Sequence, residues 1–342
     1  MKTILIKHIK VLVVSVIMAT FVVTNLFGQA KVGTTAAQFL GIGVGPKAMA
    51  MGGAYVAANE DVTSIYWNPG AFVQANKSQF SFSNTEWLVG TKFRWFGFML
   101  NLDGTNAIGL SLTQLDYGEE EVTTESQPDG TGEFWSAQDI AFTVSYSRRL
   151  TDLFSMGGTV KYVSESIWNE TASSFTFDVG LLYITGFNNM RLGMSMSNFG
   201  GDLTLDGRDI LQKFNPKDPG ENSVLVGKRK VDSWPMPLFF RVGIAMDMIK
   251  NNSMNVTLAC DALRPSDNIM TLNVGGEVGW RDMLFVRAGY KSLFAEDSQE
   301  GLTAGAGLKY NLEKLGFVEI DYALNKFGLF NNLNTISLSI GF

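Results

Sequence analysis

From residue 78 to the last, apolar and polar positions alternate in runs of about ten residues, each closed by a turn-rich break. In "NIMTLNVGGEVGW", Met270, Leu272, Val274, Val278 and Trp280 fall on one side of an extended chain; Asn273, Gly275 and Glu277 fall on the other. "LTAGAGLKY" sets Leu302, Ala304, Ala306, Leu308 and Tyr310 against Thr303, Gly305, Gly307 and Lys309. "FVEIDYAL" sets Val318, Ile320, Tyr322 and Leu324 against Glu319 and Asp321. A period of two marks a strand, because successive side chains leave opposite faces. Fourteen such runs are expected, near residues 78–88, 92–102, 106–116, 138–149, 153–167, 173–185, 189–198, 238–248, 252–262, 269–280, 283–292, 301–311, 316–325 and 334–342. Their lengths suit tilted strands crossing a bilayer, roughly 9–11 residues each. A soluble β-sandwich alternates too, so each strand taken singly leaves both readings open.

Three features separate the readings in favour of an antiparallel transmembrane β-barrel. With the first strand rising from the periplasm, the links near 103–105, 150–152, 186–188, 249–251, 281–282 and 312–315 share one end, and all are short. The other end receives the two longest, 117–137 and 199–237. Short turns inside and long loops outside are the outer-membrane arrangement. Next, Trp87, Trp95, Trp135, Trp168 and Trp234 are expected at or just beyond the outer ends of their strands and Trp280 at an inner end, as an interfacial girdle. Finally, "NTISLSIGF" alternates Ile336, Leu338 and Ile340 and stops on Phe342, resembling the terminal strand read by the outer-membrane assembly machinery.

Composition agrees. Hydrophobic residues make up 46% and charged residues only 18%, which leaves little polar surface for a soluble protein. Residues 1–30 carry Lys2, Lys7 and Lys10, then "VLVVSVIMATFVV", then "NLFGQA": a basic start, a short apolar centre and small residues at an exit. This reads as a signal peptide, the run being short for a retained anchor. No cysteine lies near the cut, so lipoprotein anchoring is excluded. Removing 1–30 takes three lysines and no acid, moving the net charge from −6 to −9 and arguing against nucleic acid as a partner. It also removes His8, the only histidine, and with it any histidine-based triad or metal site. No enzyme activity and no cofactor are expected. Cys260 lies beside Leu258 and Ala262 on an apolar face, and as the single cysteine it forms no internal disulfide. The tract Glu119–Glu121 reads as a solvated loop before it reads as a Ca²⁺ site, and "GIGVG" lacks the strand–Lys–helix setting of a phosphate loop.

Residues 31–77 show no clean alternation and are rich in Gly, Ala and Met. A fourteen-strand barrel is too wide for wall side chains alone to fill. The segment is therefore expected to fold into the lumen from the periplasmic end as a hatch, leaving 78–342 as the barrel. Gly52 and Gly53 would permit close backbone contact. Asn68 and Pro69 would set a bend, with Tyr66, Trp67 and Phe72 filling space. The stretch "TTAAQFLGIGVGPKAMAMGGAYVAANEDVTSIYWNPGAF" closely resembles the amino-terminal signature of the PorV/PorQ outer-membrane proteins, relatives of the FadL-type transporters of hydrophobic compounds. The matching positions are Gly52, Gly53, Asp61, Asn68 and Pro69; Gly70 stands where Ala is usual, a change expected to matter little sterically. The resemblance implies an integral protein of the outer membrane of a diderm bacterium, in contact with lipid. It also implies a role in type IX secretion, with extracellular loops receiving secretion components or the C-terminal domains of exported cargo. Passive transport of hydrophobic molecules is the alternative.

Two further groups bear on function. Arg241, Asp247, Asp261, Glu277, Arg287, Lys291, Lys309, Glu319 and Asp321 all fall on the expected lumen face. They read either as ion pairs among themselves and with the hatch or as a polar track for a solute, pairing being favoured because charges shielded from water seek partners. The loop 199–237 carries Leu203, Leu205, Ile210, Leu211, Phe214, Val224, Leu225 and Val226, too apolar for an idle link. It would cap the barrel or present an apolar, strand-like surface to a partner.

Overall fold

Alternation buries one face of each strand, and here the sheet closes on itself so that every strand finds two neighbours. The structure is a computed structural model that describes residues 31–58, 61–214, 225–295, 298–312, 316–328, 330 and 332–342. The expected signal peptide and Val224 lie outside the described residues. The ring consists of β1 (Gln79–Glu86), β2 (Lys92–Asn101), β3 (Asn106–Glu121), β4 (Phe134–Thr151), β5 (Phe154–Ile167), β6 (Glu170–Ile184) and β7 (Arg191–Gly200). It continues with β11 (Phe239–Lys250), β12 (Met254–Pro265), β13 (Thr271–Trp280), β14 (Leu284–Leu293), β15 (Glu300–Leu312), β16 (Gly316–Phe327) and β17 (Leu333–Gly341). Three short strands, β8 (Asp206–Gly207), β9 (Leu211–Phe214) and β10 (Leu225–Lys228), lie in the long loop between β7 and β11. Sequential ring strands pair antiparallel, β7 pairs with β11 across that loop, and β1 pairs with β17 from Gln79↔Gly341 to Glu86↔Asn334. The ring is a closed fourteen-strand antiparallel barrel, so no edge is left for a lipid environment that cannot satisfy it.

Outward positions are apolar: Phe80, Leu110, Val144, Val160, Val242, Leu258, Val286, Leu308, Ile320 and Leu338 are all exposed. Trp280, Tyr310, Tyr183 and Phe342 mark the inner end of this surface, and Trp168 and Trp234 the outer end. Trp87 stacks edge-on to Phe327 at 5.9 Å beside the outer turn, and Trp135 sits on the far extension of β4. Trp95 departs from the expected girdle. It points inward and is fully buried with Phe93, Met99 and Leu115 against the amino-terminal segment. On β2 both faces are apolar, Phe96 and Phe98 outside and Phe93, Trp95 and Met99 inside. Polarity therefore could not orient this strand.

Two other differences have physical causes. β3 and β4 run on to Glu121 and back from Phe134, past a bulge between Asp116 and Glu119, where the sequence pattern predicts a loop over 117–137. Backbone pairing continues there as a projecting ribbon in water, so no apolar face is needed. The amino-terminal segment starts at the outer mouth, not the periplasmic one: the backbone N–H groups of Lys31 and Ala36 donate to Asp267 and Pro235, both in outer loops. It then descends through the lumen and leaves into β1 at the inner mouth.

The lumen is narrow for a backbone, and the wall makes room with glycine. A methyl group built on Gly157 (β5) would overlap the Pro69 carbonyl, one on Gly180 (β6) the Asn68 side chain, and one on Gly193 (β7) the Val56 carbonyl. Across the ring, Gly275 and Gly289 would meet Met51, and Gly305 would meet Ala50. At Gly52, where φ is +66°, the Tyr290 backbone leaves no space for a side chain. Gly157→Ala is expected to destabilise the barrel by about 1–3 kcal/mol through overpacking. Gly186→Ala, in open space, should change nothing. Thermal loss of the compact, SDS-resistant band on unboiled gels checks both.

Candidate functional site

The amino-terminal segment has little regular structure: helices Pro46–Ala50 and Ser64–Trp67 and two 3₁₀ turns, Gln38–Gly41 and Phe72–Gln74. Pro46 opens its helix where a missing N–H costs nothing, after Gly45 at φ +81°. So irregular a backbone, buried, must find partners for its polar groups. Asn68 supplies several. Its Nδ2 donates to Val56 O and to wall residue Leu181 O, both at 2.9 Å, and its Oδ1 accepts from Gly70 N–H at 3.0 Å. Pro69 and Gly70 then pass close to the wall. A methyl group at Gly70 would overlap the Gly180 carbonyl, so Gly in place of Ala is not sterically neutral here. Wall hydroxyls complete the turn, Ser195 donating to Trp67 O at 3.0 Å and Ser155 to Gly70 O at 2.6 Å. Tyr66 donates to Leu40 O and Trp67 to Val44 O, while Gly53 packs beneath the Trp67 ring.

The inward charges fasten this segment. Asp261 Oδ2 accepts from the backbone N–H groups of Tyr55 and Val56, each at 2.7 Å. Arg241 lies over the rings of Tyr66, Trp67 and Phe239 at 5.5, 5.6 and 5.0 Å, a desolvated cation–π arrangement. Arg287 bridges Glu277 and Asp321, both at 2.6 Å, with Glu319 at 3.8 Å. Glu319 in turn holds Lys47 of the segment at 2.9 Å, and Lys47 reaches Asp61 at 3.5 Å. Asp61 also accepts from Tyr55 Oη and from the Thr63 hydroxyl and N–H. Asp247 pairs with Arg191 at 2.8 Å, Lys291 with Glu300, and Lys309 with Asp282. All nine sequence-selected charges therefore face inward. Arg241 and Asp261 touch the segment directly, as does Glu319 through Lys47, while the others pair mainly within the wall.

Nothing in a Gly-Ala-Met stretch tells a buried lysine such as Lys47 from an exposed one, so its role is not legible in the sequence. Lys161, paired with Asp178 at 3.0 Å and with Asn198 at 2.6 Å, joins the inward charges, and its only sequence signal is inward parity on β5 and β6. Burial alone would push the Lys47 ammonium towards its neutral form, but Glu319, Asp61 and Asp321 together outweigh it and hold its pKa above the ordinary value. Burial also opposes the charge of Asp61. Lys47 and the bonds from Thr63 and Tyr55 nevertheless keep its carboxyl below the usual range. The Tyr55 phenol is pushed well up by burial and by Asp61.

Two polar chambers of about 350 and 210 Å³ open beneath the segment towards the inner mouth, sharing Lys47, Asp61, Asp282, Lys309 and Glu319. At the outer end β7 is kinked, with Asn198 at φ +65°, and its pairing with β11 stops at Ser197↔Phe239. A groove of about 590 Å³ lies there, lined by Phe199, Pro235, Met236 and Leu238 with Lys31, Thr34 and Thr35. The long outer loop does two things. Its base covers the lumen through buried Leu203 and Met236. Its tip is the β9–β10 hairpin, which exposes Leu211 (48%), Leu225 (59%) and Val226 (63%); Ile210 is half-buried and Phe214 ends β9.

A family model described as type IX secretion system protein PorV matches residues 26–263. No curated protein matches the chain. Among solved structures, the Ralstonia pickettii toluene transporter TbuX is similar at a TM-score of 0.56 and 14% identity, covering 88% of this chain and 98% of its own. The CymD monoaromatic hydrocarbon channel is similar at 0.56 and 13%, covering 87% and 96%. The Pseudomonas putida toluene transporter TodX is similar at 0.53 and 15%, covering 87% and 97%. At such identities the likeness is one of fold: an outer-membrane barrel.

Lys47→Ala would remove the ammonium beside Asp61 and leave Glu319 only the longer contact to Arg287 at 3.8 Å. It is expected to lower stability in detergent by about 3–5 kcal/mol, and Lys47→Met with Glu319→Gln should recover part of that loss; denaturant titration measures both. Because its pKa is depressed in the folded protein, Asp61 contributes stability above the ordinary carboxylate value near 4, and this is lost as pH falls through the depressed value. Melting temperature should therefore drop below about pH 4, and Asp61→Asn should flatten that acid limb.

Proposed function

This chain belongs to the PorV family, and on that premise we propose that it is an accessory of type IX protein secretion, a filled outer-membrane barrel whose extracellular loops bind exported cargo or neighbouring machinery. The observation that carries the reading is the pairing of an occupied lumen with an apolar hairpin held out in water. Leu211, Leu225 and Val226 gain nothing from exposure unless something covers them, and among the described residues β9 and β10 pair as strands only with each other. An extended segment, such as the C-terminal domain of a cargo protein, can add to an edge of such a hairpin through main-chain hydrogen bonds while its side chains lie beside Leu211 and Val226 on one face of the hairpin or Leu225 on the other. The alternation along β17 suits engagement by the outer-membrane assembly machinery, and residues 1–30 suit export by a signal peptide.

Passive transport of hydrophobic compounds is the second reading. The kinked β7, the early end of its pairing with β11 and the apolar lining of the outer groove favour it. Against it stand the ion-paired lumen and the polar residues that line the chambers below the segment. Deletion of the gene is expected to leave cargo proteins in the periplasm and deplete them from surface and medium proteomes. Complementation with Leu225→Asp/Val226→Asp should restore barrel abundance but not export. Normal export after deletion, with impaired uptake of hydrophobic nutrients, would reverse the assignment.

A further inference from the structure

We propose that the amino-terminal segment is a strap threaded through the full depth of the barrel and fastened at both mouths, so that residues 31–34 are presented outside the cell and the lumen is held shut. This rests on the orientation set by loop length and does not depend on the secretion reading. The outer fastening is Asp267, in the β12–β13 turn. Its Oδ2 accepts from Thr35 Oγ1 at 2.7 Å and from Gln38 Nε2 at 2.8 Å, and its backbone carbonyl accepts from Lys31 N–H at 3.0 Å. Ala36 N–H adds a bond to Pro235 O, also at 3.0 Å. The inner fastening is covalent and electrostatic together. The segment continues into β1, Asn101 Nδ2 donates to Ala75 O at 2.7 Å, Gln79 Oε1 accepts from Val62 N–H at 3.1 Å, and Lys47 holds Glu319.

Between the two mouths the strap bears on the wall at the glycine contacts around Pro69, Val56 and Met51. A plug tied at one mouth can swing out of the way. One tied at both cannot leave without breaking the Asp267 bonds and dragging Phe39 and Leu40, both buried, past the ring of close contacts. The strap must also be in place before β1 and β17 close the wall, because its leading residues are on the far side from the end where the chain enters β1.

Cysteine labelling in whole cells tests the topology. In a Cys260→Ala background, Val32→Cys and, as a second position, Thr34→Cys are each exposed at the outer end, and Asn76→Cys is exposed at the inner end. A membrane-impermeant maleimide is expected to label the outer positions in intact cells as fully as after permeabilisation, and Asn76→Cys only after permeabilisation. Outer positions protected until permeabilisation would overturn the threading, and Asn76→Cys labelled in intact cells would overturn the closed lumen. Planar-bilayer recording of the purified protein tests the fastening. The wild type should show no steady conductance, and Asp267→Ala should raise the rate of brief openings roughly tenfold or more, as expected for losing two hydrogen bonds to a charged group. Steady conductance in the wild type, or no change in Asp267→Ala, would show that the strap is not held as described.

Discussion

A fourteen-strand ring encloses more space than its own side chains can fill, and this protein fills it with backbone. That choice governs the rest. Backbone in a lumen brings unsatisfied N–H and C=O groups with it, and each must be met by the wall or by the segment itself. The wall answers in two ways. Glycines at Gly157, Gly180, Gly193, Gly275 and Gly289 let the main chain come within contact distance. Between them, Ser155, Ser195, Thr303 and Asp261 supply the hydrogen bonds. Small residues and short polar residues alternate around the ring because one sort admits the backbone and the other binds it.

The charges solve a second problem. A segment held only by apolar packing could slide along a smooth lumen at little cost. Arg287, with three carboxylates about it, and Lys47, with two, give the interior discrete positions. Buried ion pairs add little net stability compared with apolar packing, but breaking one is costly, so they specify register. Arg241 does the same through rings, pinning Tyr66 and Trp67 beside the Asn68–Pro69 bend. The bend that shapes the segment and the charges that lock it are thus neighbours in space although far apart in sequence.

On the proposed reading, contacts with other molecules fall to the outer rim: the acidic ribbon of β3 and β4, the β9–β10 hairpin and the groove beside β7. The long loop is divided between the two tasks, with Leu203 and Met236 turned down onto the segment and Leu211, Leu225 and Val226 turned out.

Much of the fold could be read from the chain itself, because a bilayer enforces its pattern on every strand: all fourteen ring strands and the sorting of turns and loops between the two ends follow from period-two alternation and loop length. The inward side of Arg241, Asp261, Arg287, Glu319 and Asp321 follows from the same parity. Alternation carries no information where both faces are apolar, which is why Trp95 was expected at the interface and lies in the lumen. Nor does it reach the segment before β1, whose course depends on contacts with residues hundreds of positions away. That Lys47 meets Glu319, that Asp267 holds Thr35 and Gln38, and that the segment begins at the outer mouth were decided only when the ring closed around it. A strand's two faces are a local property of the chain, whereas the path of an irregular segment is set by which wall groups can satisfy its backbone.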